Sequence, residues 1–210
     1  MIEKLPDGQP AHHPSDDILR AYSAGTLPAG FDLVAGAHVQ FCSRCQLASR
    51  VFENLAGAAL EQAKPAALSD DALAVTMERL LEPEPEKGEA RTLNALLKTA
   101  RRRRVAPGVW VAAVNTPHER GDRVYLLGAK PGVATAKHSH EGYEFTQILR
   151  GALDDGEFVY RPGDFVACDG SITHHPHATG DEECVCFIAT HGRLTPASWI
   201  GRLAFMIADV

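Results

Sequence analysis

The sequence predicts an α+β chain of two units, a small all-α helical bundle followed by an all-β barrel. Three observations predict it. Apolar residues recur at helical spacing between 15 and 81, the run Glu82-Pro83-Glu84-Pro85-Glu86-Lys87-Gly88-Glu89 interrupts them, and short β-rich runs follow from Val109 onward. A length of 210 residues suits two small domains, and 45% hydrophobic with 23% charged residues is the composition of a folded chain. The net charge of -6 argues against general binding to a phosphate backbone, which needs clustered Lys and Arg.

Ser15 is placed to cap a first helix, with Asp16 and Asp17 set favourably against the helix dipole and Ile18, Leu19 and Tyr22 on one side. Gly25 and Pro28 end it. A second helix is expected over Phe31 to Phe41, a third over Gln46 to Leu60, and a fourth after Ser69 with Asp70 and Asp71 in its first turn. Helices this short are marginal alone and need packing or a metal staple. The acidic, Pro-rich run has the character of an exposed linker. The helical domain is therefore set at 1–84, a linker at 85–104 and the β domain at 105–210. Leu93 to Ala100 reads as helix or coil. Strands are expected at Val109–Val114, Arg123–Leu127, Glu144–Leu149, Phe165–Cys168 and Cys184–Ala189, separated by Gly, Pro and Asp turns, the spacing of an antiparallel sandwich or barrel.

Five cysteines is an odd number, and the N-terminus has no apolar stretch of the kind that directs export. The thiols are then expected to serve as metal ligands or redox groups in a cytoplasmic protein, not as a disulfide framework. No run approaches the roughly 18 apolar residues of a membrane span.

His38, Cys42 and Cys45 form His-x-x-x-Cys-x-x-Cys. Residues four apart share a helix face, so His38 and Cys42 are expected to point at one ion while Cys45 closes from the next turn. A structural zinc site takes four tetrahedral N or S ligands, and the motif supplies three. His12 and His13, just ahead of the first helix, are the candidates for the fourth. This pattern resembles the zinc-containing anti-sigma factors, whose signature adds an upstream His, and within them the ChrR-like group with a C-terminal cupin domain. The resemblance implies zinc held by His13, His38, Cys42 and Cys45, and a helical domain that sequesters an extracytoplasmic-function-type sigma factor of RNA polymerase.

A second constellation runs Gly132, His138, His140, Glu144, Gly151. In an extended chain alternate residues share a face, so His138, His140 and Glu144 are expected on one side, converging on a metal inside the barrel, with a fourth ligand from a distant strand. The spacing resembles the first cupin motif over its whole length. The second cupin motif is less regular. Gly156, Pro162, Gly163 and Asp164 fit its opening, but the interval from Gly170 to His174 is longer than usual and the trailing Asn is missing. His174, in His-x-Pro, matches the ChrR-like pattern, with His175 and His177 as rivals. Zinc, iron, manganese and nickel all suit such a donor set.

The expected function is therefore regulation of transcription, the zinc domain sequestering a sigma factor and the cupin domain sensing a signal. Oxidative stress, singlet oxygen in particular, is implied by the resemblance alone. The partner is a sigma factor, with no direct DNA binding and no membrane, and the chain is not expected to be an enzyme. The alternative is a cupin-type dioxygenase or hydrolase with an accessory helical domain, with Glu141 or Tyr143 lining the mouth of its site. Arg101 to Arg104 read as a solvated or internally paired surface, Cys184 and Cys186 as buried small residues, and Trp110, Trp199 and Phe205 as packing.

Overall fold

The computed structural model describes residues 9–81, 100–116, 121–135, 137–192 and 194–196. Most of the expected linker at 85–104, with nearly all of the stretch 93–100, and Trp199 and Phe205 lie outside the described residues. Four helices come first: α1 (Asp16–Ser23), α2 (Ala29–Val39), α3 (Ser43–Glu61) and α4 (Ala72–Leu81). The Ser15 hydroxyl accepts from Ile18 N and caps α1 as expected.

The His-x-x-x-Cys-x-x-Cys segment does not lie on one continuous helix, which corrects the expectation from spacing. α2 stops at Val39, and Cys42, in extended conformation, is the N-cap of α3. Cys42 N still donates to His38 O at 3.0 Å, so the last turn of α2 is completed before the chain swings out. That swing lets His38, Cys42 and Cys45 come from three directions, which four-coordination requires and a single helix face does not provide.

Among the described residues the strands that follow are β1 (Arg103–Ala106), β2 (Val109–Ala113), β3 (Asp122–Ala129), β4 (His138–His140), β5 (Glu144–Arg150), β6 (Ala152–Asp154), β7 (Val159–Tyr160), β8 (Phe165–Cys168), β9 (His177–Thr179), β10 (Cys184–His191) and β11 (Leu194–Pro196). All pairings are antiparallel. They form a six-stranded sheet in the order β1-β2-β3-β10-β5-β8, a three-stranded sheet β7-β6-β9 and the pair β11-β4. β1 begins inside the stretch expected as linker, and Arg102 stacks over Trp110 at 4.1 Å beside Glu183, an internally paired surface.

Among the described residues the sheets do not close into a continuous barrel. Only the isolated bridges Ala134↔His177 and His138↔His174 join the smaller sheets across the gap. Pro176, which has no N–H to continue a ladder, sits between these bridges, its carbonyl accepting from Thr135 N. The fold is a cupin-like β structure whose largest sheet, among the described residues, ends at β1 and β8.

Both faces of the six-stranded sheet are covered, and the two-residue period of a strand sorts its side chains between them. Val124, Leu126, Phe145, Phe187 and Ala189 face α2, where they pack with Phe31, Val34, Ala35 and Ala37. Tyr125, Ile148, Cys184, Cys186 and Ile188 face the other way, against Tyr160 and Ala178 of the smaller sheet. Cys184 and Cys186 are fully buried, as expected for small core residues. A smaller cluster of Leu19, Val39, Cys42 and Cys45 ties α1 to the α2–α3 junction. No helix among the described residues is long and apolar enough to cross a membrane.

Two glycines give opposite expectations from this packing. A Cβ at Gly30 would lie 2.5 Å from the Val124 side chain, whereas one at Gly57 on α3 meets nothing within 4 Å. Gly30→Ala is expected to lose about 1–3 kcal/mol through overpacking despite its better helix propensity. Gly57→Ala should gain about 0.5–1 kcal/mol. Urea titration of the two variants checks both signs.

Candidate metal centres

The first cluster is assembled where three pieces of chain meet: the lead-in to α1, the end of α2 and the start of α3. His13, His38, Cys42 and Cys45 each offer one ligand atom, and these atoms all lie within 4.8 Å of one another. His13 Nδ1 is 3.4 Å from His38 Nε2, 3.4 Å from Cys42 Sγ and 3.5 Å from Cys45 Sγ. The neighbouring His12 turns away, packing its ring on Tyr160 and Phe158 and facing Asp164 at 3.4 Å.

Burial sets the electrostatics of this cluster. Burial lowers the pKa of His38 to about 4, only partly offset by the hydrogen bonds its Nδ1 makes, so it is neutral with Nε2 free to accept a cation. His13 is lowered too, by burial and by Arg44. Burial and the adjacent Cys42 push the Cys45 thiol up to about 12. A thiol so placed ionises only if a cation compensates it. Two thiols and two neutral imidazoles converging in a buried site make a donor set that fits tetrahedral zinc.

The second cluster lies on the opposite side of the six-stranded sheet. His138 and His140 come from β4 and His174 from the loop before β9, so chain distant in sequence contributes the third group. His174 Nε2 is 3.0 Å from His138 Nε2 and 3.1 Å from His140 Nε2. One N–H serves one acceptor at a time, so protons do not satisfy three converging nitrogens together, and a cation does. Burial and the neighbouring imidazoles hold His140 near pKa 4, and burial chiefly holds His174 there, leaving both neutral.

Glu144 does not belong to the tight trio. The turn Glu141–Tyr143 separates it from β4, and its Oε2 stands 3.9 Å from His140 Nδ1, a buried nitrogen without a hydrogen-bond partner. Burial raises the Glu144 carboxyl to about pKa 7, and Thr146 Oγ1 donates to it at 3.3 Å. Among the rival histidines, His175 is exposed and His177 pairs with Asp154 at 3.5 Å. Tyr143 is exposed on the turn; Glu141 is exposed beside it. Sequence reasoning missed Gln147 and the Gly163 carbonyl, both on His38 Nδ1, because nothing in their spacing signals a contact with residue 38. A cavity of about 60 Å³ adjoins the trio, lined by Tyr125, Tyr160, Cys168, Cys186 and Ile188.

These shifts set the pH dependence of the metal-free protein. His38, His140 and His174 titrate near 4 when folded against about 6.5 unfolded, so acidification from 6.5 towards 4 protonates the unfolded chain first and removes stability. Glu144, raised to about 7, acts in the opposite sense between about 4.5 and 7, one group against three. The thermal midpoint of the metal-free chain is therefore expected to fall across pH 6.5 to 4, at roughly 2–4 °C per kcal/mol for a chain of this size. Glu144→Gln should raise the midpoint at pH 7.5, where the buried carboxylate is otherwise ionised. Differential scanning calorimetry against pH tests both statements.

Residues 95–194 match the family described as ChrR Cupin-like domain. Over 204 residues the chain is 31% identical to the anti-sigma-E factor ChrR of Cereibacter sphaeroides, spanning 91% of this chain and 95% of that protein. The solved structure of Rhodobacter sphaeroides SigE in complex with the anti-sigma ChrR aligns with a TM-score of 0.75 at 34% identity, covering 85% of this chain and 98% of that one. The similarity runs through both the helical segment and the β structure, and the chain belongs to the ChrR family of anti-sigma factors.

Proposed function

We propose that this chain is an anti-sigma factor that sequesters an extracytoplasmic-function-type sigma factor in the cytoplasm through its helical segment. The observation that carries the reading is a pair of uncovered apolar stripes. On α3, Leu47, Val51 and Leu55 recur every four residues and are 50–66% exposed. On α4, Leu73, Met77, Leu80 and Leu81 follow helical spacing, are 52–84% exposed, and the helix buries no side chain at all. Two consecutive amphipathic helices with bare apolar faces suit helix-in-groove binding. The related ChrR is known in complex with SigE, which gives the partner class. The acidic net charge fits a protein partner and no direct DNA contact.

In this reading residues 1–84 form the sigma-binding domain, 85–104 the linker and 105–210 the sensory domain. His13, His38, Cys42 and Cys45 hold zinc, which staples the α2–α3 junction and supplies folding energy to a small helical unit. His138, His140 and His174, with Glu144 as the fourth ligand, hold a second divalent ion, zinc or else iron, manganese or nickel. A regulator is favoured over an enzyme because the cavity beside that centre, about 60 Å³, is far below the roughly 300–1,000 Å³ of small-molecule sites. Oxidative stress is the signal proposed, as the resemblance to the ChrR-like group implies.

An affinity-tagged chain expressed with the sigma factor encoded beside it should retain that partner at micromolar concentration. Cys42→Ser is expected to abolish retention, and a wild type that retains no sigma factor would overturn the reading. Leu73→Glu with Leu80→Glu should weaken binding about 10- to 100-fold, the range of one or two hot-spot residues. Because both side chains are exposed, the variant's own stability should stay within about 0.5 kcal/mol of wild type, as thermal unfolding would show.

A further inference from the structure

His38 has two nitrogens with different neighbours. Nε2 faces His13 and the two cysteines, while Nδ1 faces the sheet, 2.9 Å from the Gly163 carbonyl and 3.2 Å from Gln147 Oε1. Gln147 is 1% exposed, held on β5 with its own Nε2 donating to Ile148 O at 3.1 Å. Gly163 adopts φ +99°, a turn conformation that glycine takes without strain, and its N donates to Ile148 O at 2.9 Å. Both acceptors are thus fixed by the β structure before His38 meets them.

The other histidine is held from the same place. Asp164 is 3% exposed, and its Oδ1 accepts from Ala11 N at 2.7 Å and His12 N at 3.0 Å. Its Oδ2 accepts from Arg161 N at 2.8 Å, and Phe165 N donates to His12 O at 3.1 Å. The lead-in that presents His13 is therefore pinned to the β7–β8 turn and the margin of β8.

We infer that the sheet supplies the outer shell of the helical metal centre: Gln147 and the Gly163 carbonyl fix the tautomer of His38, and Asp164 positions the segment that carries His13. A ligating imidazole whose second N–H donates to a fixed carbonyl presents its other nitrogen in one orientation with raised basicity, and losing such support typically lowers metal affinity about 10- to 100-fold. Gln147 and Asp164 are positioning residues, since neither reaches the ion. The inference rests on the proposal that the His13, His38, Cys42 and Cys45 cluster binds zinc. It adds that this centre is complete only while the sheet is docked against α2. Strand β5 then has Glu144 beside one centre and Gln147 beside the other, on opposite faces.

The test uses the full chain loaded with cobalt(II), because thiolate-to-cobalt charge transfer reports the cysteine centre and not the histidine trio. Titration with zinc under chelator competition then gives the affinity of that centre alone. Gln147→Met, which keeps shape and removes the acceptor, and Asp164→Ala are each expected to weaken it about 10-fold or more, with metal retention at the trio and near-ultraviolet dichroism unchanged. Asp164→Asn, which keeps one acceptor oxygen, should fall between wild type and Asp164→Ala. Affinities within twofold of wild type for both Gln147→Met and Asp164→Ala would overturn the inference. A wild type without any thiolate-to-cobalt band would instead overturn the zinc reading beneath it, a failure read from a different sample.

Discussion

The structure depends on the docking of α2 into one face of the six-stranded sheet. Phe31 meets Phe145 edge-to-face at 4.9 Å, and Gly30 lets the helix approach Val124 closely. Every residue from Val34 to Val39 is buried, so this helix has no solvent face to spare: the sheet takes one side, and α1 and α3 take the rest. A helix apolar all round is a buried element and not a surface one. Because it ends in His38, its seating decides where the first cluster can form.

The sheet therefore acts as a partition. Its two-residue alternation sends Phe145 and Gln147 towards α2, and Glu144, Thr146 and Ile148 towards the cavity, so β5 borders both clusters without their sharing a ligand. Burial keeps His38, His140 and His174 neutral at physiological pH, the state in which an imidazole accepts a cation. Covering these polar groups leaves few of them orphaned among the described residues; His140 Nδ1 is one, and it faces Glu144.

Much of this was legible in the sequence. The Ser15 cap, the four helices and the five long strands follow from periodicity and turn residues, because those signals are local. The strands β4, β6, β7, β9 and β11 were not legible, since two or three residues carry no period, and neither was β1, which starts inside the expected linker. Spacing also suggested one helix through His38 and Cys45, whereas α2 stops at Val39 and α3 starts at Ser43; the short break that brings the three side chains together has no signal in local propensity. It likewise put Glu144 in line with His138 and His140, whereas the intervening turn moves it to the next strand. The least legible feature was the seam between the helical and β parts. Gln147, Gly163 and Asp164 lie more than a hundred residues from the segments they hold, and no motif announces them.

The hydrogen bond from Phe165 N to His12 O has a consequence for solubility. β8 is a terminal strand of its sheet, and an uncovered strand margin is a template for pairing with another molecule. The backbone around His12 shields part of that margin, so the same few residues that present His13 to its cluster also guard against self-association. Trimming the chain back to Ser15 would remove both at once, and aggregation would then accompany loss of the His13 cluster without any defect in the sheet itself.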